Sequence, residues 1–90
     1  MKAIGYRDNL PITDAKALED VELPAPTPKA RDILVRVSAV SVNPVDTKIR
    51  KARKPADGQV EVLGWDAVGV VEGVGEEVSR FKVGDRVYYA

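Results

Sequence analysis

The sequence predicts a mainly β fold carrying one short helix, and three observations point that way. Val, Ile and Tyr gather in short runs, Gly, Pro, Asn and Asp separate those runs, and in the clearest run apolar and polar residues alternate. In chain order, Lys2 to Tyr6 and Leu18 to Leu23 are expected as short strands. The second stops at Pro24, whose missing N–H cannot join a ladder. Asp14 to Glu19 is long enough for one helical turn at most, and it has no reciprocal capping pair. Pro24-Ala25-Pro26-Thr27-Pro28 reads as an extended, semi-rigid connector. Ile33 to Val42 is a half-buried strand, with Ile33, Val35, Val37 and Ala39 on one face and Arg36 and Ser38 on the other. The helix is expected from about Pro44 to Lys51. Asn43 suits its N-cap, Pro44 its first position, and Asp46 the positive end of its dipole. Ala67 to Val74 is a further strand, with Val68, Val70 and Val74 on one side. Gly69 and Gly73 on its other side signal a bulge or a close backbone approach. Arg86 to Tyr89 is the last strand, and the chain holds no internal repeat or low-complexity tract.

Composition narrows the function. Ninety residues with 44% hydrophobic content make one small folded domain, with no room for a cofactor cleft and a substrate domain together. Fourteen basic and fourteen acidic residues cancel, so no general attraction to nucleic acid or to an anionic membrane is expected. The chain contains neither cysteine nor histidine. Disulfides, thiolate nucleophiles, imidazole bases and zinc sites of the usual nitrogen or sulfur ligands cannot be built from it alone. The first residues carry no apolar run of signal-peptide length and no segment reaches membrane length, so a cytoplasmic location is expected.

Three groups of residues invite a chemical reading. Gly73-Val74-Gly75-Glu76-Glu77-Val78 opens like a dinucleotide fingerprint, but Val78 stands where the third glycine belongs and no helix signal follows. A glycine-rich turn closing a hairpin, with Glu76 and Glu77 solvated, explains it. Lys48, Arg50, Lys51, Arg53 and Lys54 form the one strong charge run. It reads first as a solvated helix end complementing the dipole, and no aromatic residues interleave it to stack nucleic-acid bases. Asn43, Asp46, Trp65 and Asp66 sit at turns between apolar strands, where a rigid scaffold displays functional side chains. From spacing alone, helix capping accounts equally for Asn43 and Asp46, core packing for Trp65, and a turn acceptor for Asp66.

Resemblance adds to this. Met1-Lys2-Ala3, Asp32-Ile33-Leu34-Val35-Arg36-Val37, Ser41-Val42-Asn43-Pro44-Val45-Asp46-Thr47-Lys48-Ile49-Arg50, Leu63-Gly64-Trp65-Asp66-Ala67-Val68-Gly69-Val70-Val71 and Val83-Gly84-Asp85-Arg86-Val87 occur in one order. Over nearly its whole length the chain resembles the N-terminal part of a medium-chain dehydrogenase/reductase, closest to the zinc-type alcohol-dehydrogenase-like branch of the quinone oxidoreductases. Each motif alone is weak, and the specificity lies in their order. The resemblance implies a GroES-like, partly open β barrel with one short helix over residues 1–90. The nucleotide-binding domain and a returning C-terminal segment are absent from this chain, which accordingly reads as an N-terminal fragment or truncated product.

In zinc-dependent members of that superfamily, a cysteine ligand lies three positions before the aspartate and a Gly-His-Glu motif supplies the next ligand. Here Asn43 takes the cysteine position, Trp65 the histidine position and Asp66 that of the glutamate. Indole offers a metal no lone pair and an amide is a poor zinc ligand, so no metal is expected. The resemblance to zinc-free quinone reductases implies Asn43 and Asp46 as catalytic residues. It also implies Asn43 and Lys48 as cofactor contacts, and Trp65 and Asp66 as substrate-pocket residues. Many of those enzymes place a tyrosine where Lys48 stands, so Lys48 has three open roles: a substrate contact, a phosphate contact or a solvated helix residue. The implied cofactor is NADPH or NADH, bound mainly by the missing domain. The implied substrate is a quinone, enone or related carbonyl, and a homo-oligomer without nucleic-acid or membrane partners is expected. The isolated 90 residues are expected to be inactive. The alternative is a non-enzymatic GroES-like binding module or an inactive truncated product, while a nucleic-acid-binding barrel has only the basic run behind it.

Overall fold

The computed structural model describes residues 1–90, which divide into two compact units. The first comprises residues 1–24 and 42–64, the second residues 25–41 and 65–90. In chain order the elements are β1 (Lys2–Tyr6), β2 (Glu19–Glu22), β3 (Ile33–Ser41), α1 (Pro44–Ala52), β4 (Glu61–Val62), β5 (Asp66–Val74) and β6 (Arg86–Tyr89). The chain is mainly β with one helix, as expected, and its strands form two open three-stranded sheets.

The first unit carries the sheet β2-β1-β4, antiparallel throughout. The terminal ammonium bonds to the Glu22 carboxylate at 2.9 Å and the Leu23 carbonyl at 2.7 Å, and the Leu23 N–H returns to the Met1 carbonyl. Pro24 has no N–H to extend this ladder, and pairing stops there. In the stretch Asp14 to Glu19, residues 14–18 form turns, with Asp14 N–H bonded to Pro11 O and Ala17 N–H to Asp14 O, Glu19 already belongs to β2, and no helix develops. β4 gave no sequence signal, since a two-residue strand is too short to show a period. It is held by pairing with Gly5 and Tyr6 of β1. Tyr6 is fully buried, and Ala17 nearly so.

The second unit carries β3-β5-β6, also antiparallel. Its register breaks twice. Leu34 opposes Gly73 and the next residue, Val35, opposes Val71, so Glu72 is an extra residue on β5. Val37 opposes Gly69 and Ala39 opposes Val68, so Ser38 is an extra residue on β3. A one-residue bulge reverses the facing of every later side chain. The single face expected for Ile33, Val35, Val37 and Ala39 is not maintained: the extra residue Ser38 shifts Ala39 off it, and Ile33 and Val35 are half-buried while Val37 and Ala39 are exposed. On β5 the fully buried side chain is Val71, on the Gly69 side, and not one of the three valines expected. Gly69 does mark a close backbone approach, because a Cβ there would overlap the Arg36 carbonyl oxygen. Gly73 does not, since its nearest neighbour would be Leu34 Cβ at 3.6 Å. Beyond β6 the ladder continues through Val71 N–H to Asp85 O and Gly84 N–H to Val71 O, both 2.9 Å. The side-chain and backbone hydrogen bonds from Lys82 hold the Asp85 carboxyl below its ordinary range.

Candidate functional site

The N-terminus of α1 is built as its sequence requires. Asn43, extended at φ −130° and ψ 160°, is the N-cap, and Pro44 opens the helix. Asp46 lies three residues past the cap. Its Oδ2 accepts the Asn43 N–H at 2.8 Å, while its own N–H donates to the Asn43 carbonyl at 3.0 Å. This carboxylate arm of a capping box satisfies a backbone donor that the helix cannot. It leaves the other carboxylate oxygen unaccounted for. Asp46 is only 7% exposed, and its Oδ1 is buried without a hydrogen-bond partner. Helix capping thus explains half of this carboxylate. A buried acceptor left unmatched costs about 1–3 kcal/mol, the kind of debt that binding sites carry. Asn43 is half-buried beside it, and Lys48, further along the helix, is exposed.

The other end of α1 contains what the sequence did not disclose. The Tyr6 hydroxyl reaches the carbonyls of Ile49 at 3.1 Å and Arg53, and Asn9 Nδ2 donates to the carbonyls of Arg50 at 2.6 Å and Arg53 at 3.1 Å. Arg50, expected in a solvated run, is instead 7% exposed with its guanidinium on the Leu10 carbonyl at 2.7 Å. Arg53 pairs with Glu61 at 3.1 Å and Lys54 lies 3.8 Å from Asp8. The run is therefore largely matched within its own unit and forms no continuous basic patch. Only the spacing of buried Asp46 and Arg50, four apart on one helical face, hinted at this, and their charges masked it.

Burial, and next the Glu61 carboxylate, push the Tyr6 phenol above its ordinary value of 10.0. The folded state therefore prefers the neutral phenol. Its contribution is complete below pH 10 and drains away as pH rises through the raised value. Urea midpoints measured from pH 8 to 11 should fall more steeply above pH 10 for the unmodified protein than for Tyr6→Phe. Parallel profiles would contradict this.

In the second unit Trp65 directly precedes β5 and is 39% exposed, so it is not the core residue that spacing allowed. Asp66 opens β5 opposite Ser41. Ser41, Asp66, Val68, Tyr88 and Tyr89 line an open recess of about 440 Å³ that includes Asp66 and not Trp65. The glycine-rich turn binds its own chain. Gly75 N–H donates to Asp32 O and Glu77 N–H to Ala30 O, both at 2.8 Å, and no helix follows. Its amides are spent on the 30–32 loop, and Glu76 and Glu77 are exposed as expected.

Residues 29–90 match the family described as the alcohol dehydrogenase GroES-like domain, well over half of the chain. The chain belongs to that GroES-like family. All 90 residues of this GroES-like domain align at 43% identity with a zinc-type alcohol dehydrogenase-like protein of Staphylococcus epidermidis, covering 26% of that protein. The fold matches a protein of Rhizobium etli CFN 42 described as a zinc-dependent alcohol dehydrogenase, with TM-score 0.93 and 53% identity over the whole chain and 26% of the other. It also matches Escherichia coli quinone oxidoreductase, solved with NADPH, with TM-score 0.82 and 31% identity over the whole chain and 27% of the other. The GroES-like domain spans about a quarter of the length of each. The fold expected from the ordered motifs is thus the fold observed, with open sheets.

Proposed function

We propose that the GroES-like domain is the N-terminal, substrate-side part of a zinc-independent NAD(P)H-dependent oxidoreductase that reduces a quinone, an enone or a related carbonyl. The observation that carries this reading is the buried Asp46 Oδ1, an acceptor with open capacity at a helix N-terminus whose other oxygen is already used. In this reading Asn43 and Asp46 orient the groups around the nicotinamide, Asp46 Oδ1 accepting a ligand's hydrogen bond. Exposed Lys48 contacts the cofactor, and Trp65 and Asp66 belong to the substrate pocket. The reduced nicotinamide, when bound, supplies the hydride. A proton from water completes reduction of the carbonyl oxygen.

Some of the relatives' names mention zinc and others do not, and the donor chemistry of this chain supports a zinc-independent reading. It has no cysteine or histidine, and nowhere do three carboxylates gather as a metal set. Asn43 and Trp65 do not fit zinc, so no step runs through a metal. Cytoplasmic, homo-oligomeric protein is part of the same proposal, with no role for nucleic acid or membrane. No helix is long and apolar enough to cross a membrane.

The test uses the full-length protein. After chelator treatment it should oxidise NADPH or NADH with p-benzoquinone and carry no zinc by elemental analysis. One retained zinc per chain, or activity that depends on added zinc, would refute the reading. The isolated 90 residues should show no NAD(P)H binding by calorimetry, and a micromolar dissociation constant, about −8 kcal/mol, would overturn that part.

A further inference from the structure

We propose that Tyr6, Asn9 and Arg50 are positioning residues, a clamp on the C-terminal end of α1 that sets where Asn43 and Asp46 stand at its other end. The inference rests on the role given to Asp46 above, and deepens it. A helix of nine residues is too short to hold itself in water, so its placement comes from what grips it. Its last turn leaves backbone carbonyls with no intrahelical donor. Here side chains from one segment, β1 and the residues after it, fill that gap. Ile49 O already takes the Arg53 N–H, and the single proton of the Tyr6 hydroxyl is shared between it and Arg53 O, while Asn9 Nδ2 serves Arg50 O and Arg53 O, beyond that last helical bond. The Arg50 guanidinium returns a bond to Leu10 O in the opposite direction. Donors on both partners face acceptors on the other, so the helix can neither slide nor turn against β1 without breaking several bonds together.

The geometry of the helix carries this grip to the site. Asp46 and Arg50 are its two buried residues and lie one turn apart on the same face. Any rotation or slip permitted at Arg50 moves Asp46 with it. The grip is also stiff, since the Tyr6 side chain is fully buried. Local fraying would suffice if the clamp served stability alone, because the N-terminus has its own cap.

The test compares full-length Tyr6→Phe and Asn9→Ala with the unmodified protein by two readouts. The first is amide hydrogen exchange at Lys48 and Ile49, whose hydrogen bonds lie in the first turns of α1. The second is kcat and KM for NAD(P)H-dependent reduction of p-benzoquinone, measured well below each variant's Tm. Faster exchange at both amides is expected, together with a kcat lowered about tenfold and a KM changed less than about twofold. Phe keeps the packed ring; if Tyr6→Phe nevertheless fails to fold, Asn9→Ala carries the same test from a half-buried loop. Exchange that quickens only at Ala52 and Arg53, or a kcat equal to that of the unmodified protein, would overturn the proposal by showing a merely structural cap. If the unmodified protein itself does not reduce quinone, the proposed activity fails, and the exchange at Lys48 and Ile49 then decides the clamp alone.

Discussion

Gly75→Ala is expected to destabilise the protein by about 3 kcal/mol, at the upper end of what overpacking costs. A Cβ at this position would overlap the backbone carbonyls of Lys29 and Ala30. Flexible side chains can swing aside, but these are main-chain atoms held by their own bonds. Gly75 N–H donates to Asp32 O and Glu77 N–H to Ala30 O, so retreat of either segment breaks the pairing that joins them. Against a typical total of about 5–15 kcal/mol, and less for a domain this small, that loss is severe. Gly73→Ala, two residues earlier, is the contrast. Its Cβ would meet Leu34 and Pro28 at 3.6 and 3.7 Å, ordinary contact distances, and its φ is not positive. There the lost freedom of the unfolded chain makes the change neutral or stabilising by up to about 1 kcal/mol. Urea unfolding of both variants decides the matter: equal midpoints would show that the 29–32 loop yields, and that the glycine is dispensable.

The same two glycines show where sequence reading reached its limit. Both looked like marks of a turn or bulge, and only the packing partner, some 45 residues away in the chain, separates them. What was legible was local. Alternating valines, strand-ending Pro24 and the Asn43-Pro44-Asp46 helix start act through neighbours within a few positions, and each element they announced is present within two residues of its expected ends. The bulge on β5 was signalled by Gly73, beside the extra residue Glu72, but the one at Ser38 was not legible, because an extra residue is defined against the opposite strand. Arg50 was misread for a related reason. A guanidinium in a basic run defaults to solvent, and only the carbonyl of Leu10, supplied by a distant loop, makes its burial tolerable. In the candidate site the residue types were legible, down to the missing zinc donors. The unmatched Asp46 oxygen was not, since it is a property of what surrounds the carboxylate.

Asn43→Ser is expected to leave folding almost intact and to lower kcat/KM for the reductase activity proposed for the full-length protein by at least about tenfold, equivalent to about 1.4 kcal/mol of transition-state stabilisation. The two roles of Asn43 make different demands. An N-cap needs a short side chain that accepts a hydrogen bond, and Ser, Asp and Asn are nearly interchangeable there, whereas Ala costs about 0.5–2 kcal/mol. The Asp46 arm of the capping box survives any of these changes, because its carboxylate bonds to the Asn43 N–H and its N–H to the Asn43 carbonyl, both main-chain groups. A group that orients a ligand needs in addition the amide's reach and its paired donor and acceptor, which a hydroxyl on a shorter stem does not reproduce. Stability and activity should therefore part company in Asn43→Ser. Asp46→Asn separates charge from shape at the neighbouring position. Its amide oxygen can still accept the Asn43 N–H, but the change puts either a donor where Oδ1 now offers an acceptor, or an oxygen without charge. Reduced kcat/KM with a Tm close to that of the unmodified protein is expected for this variant too. If Asn43→Ser instead reduces p-benzoquinone at full efficiency, Asn43 is a helix cap and nothing more, and the proposed site loses the residue that takes the place of a zinc ligand.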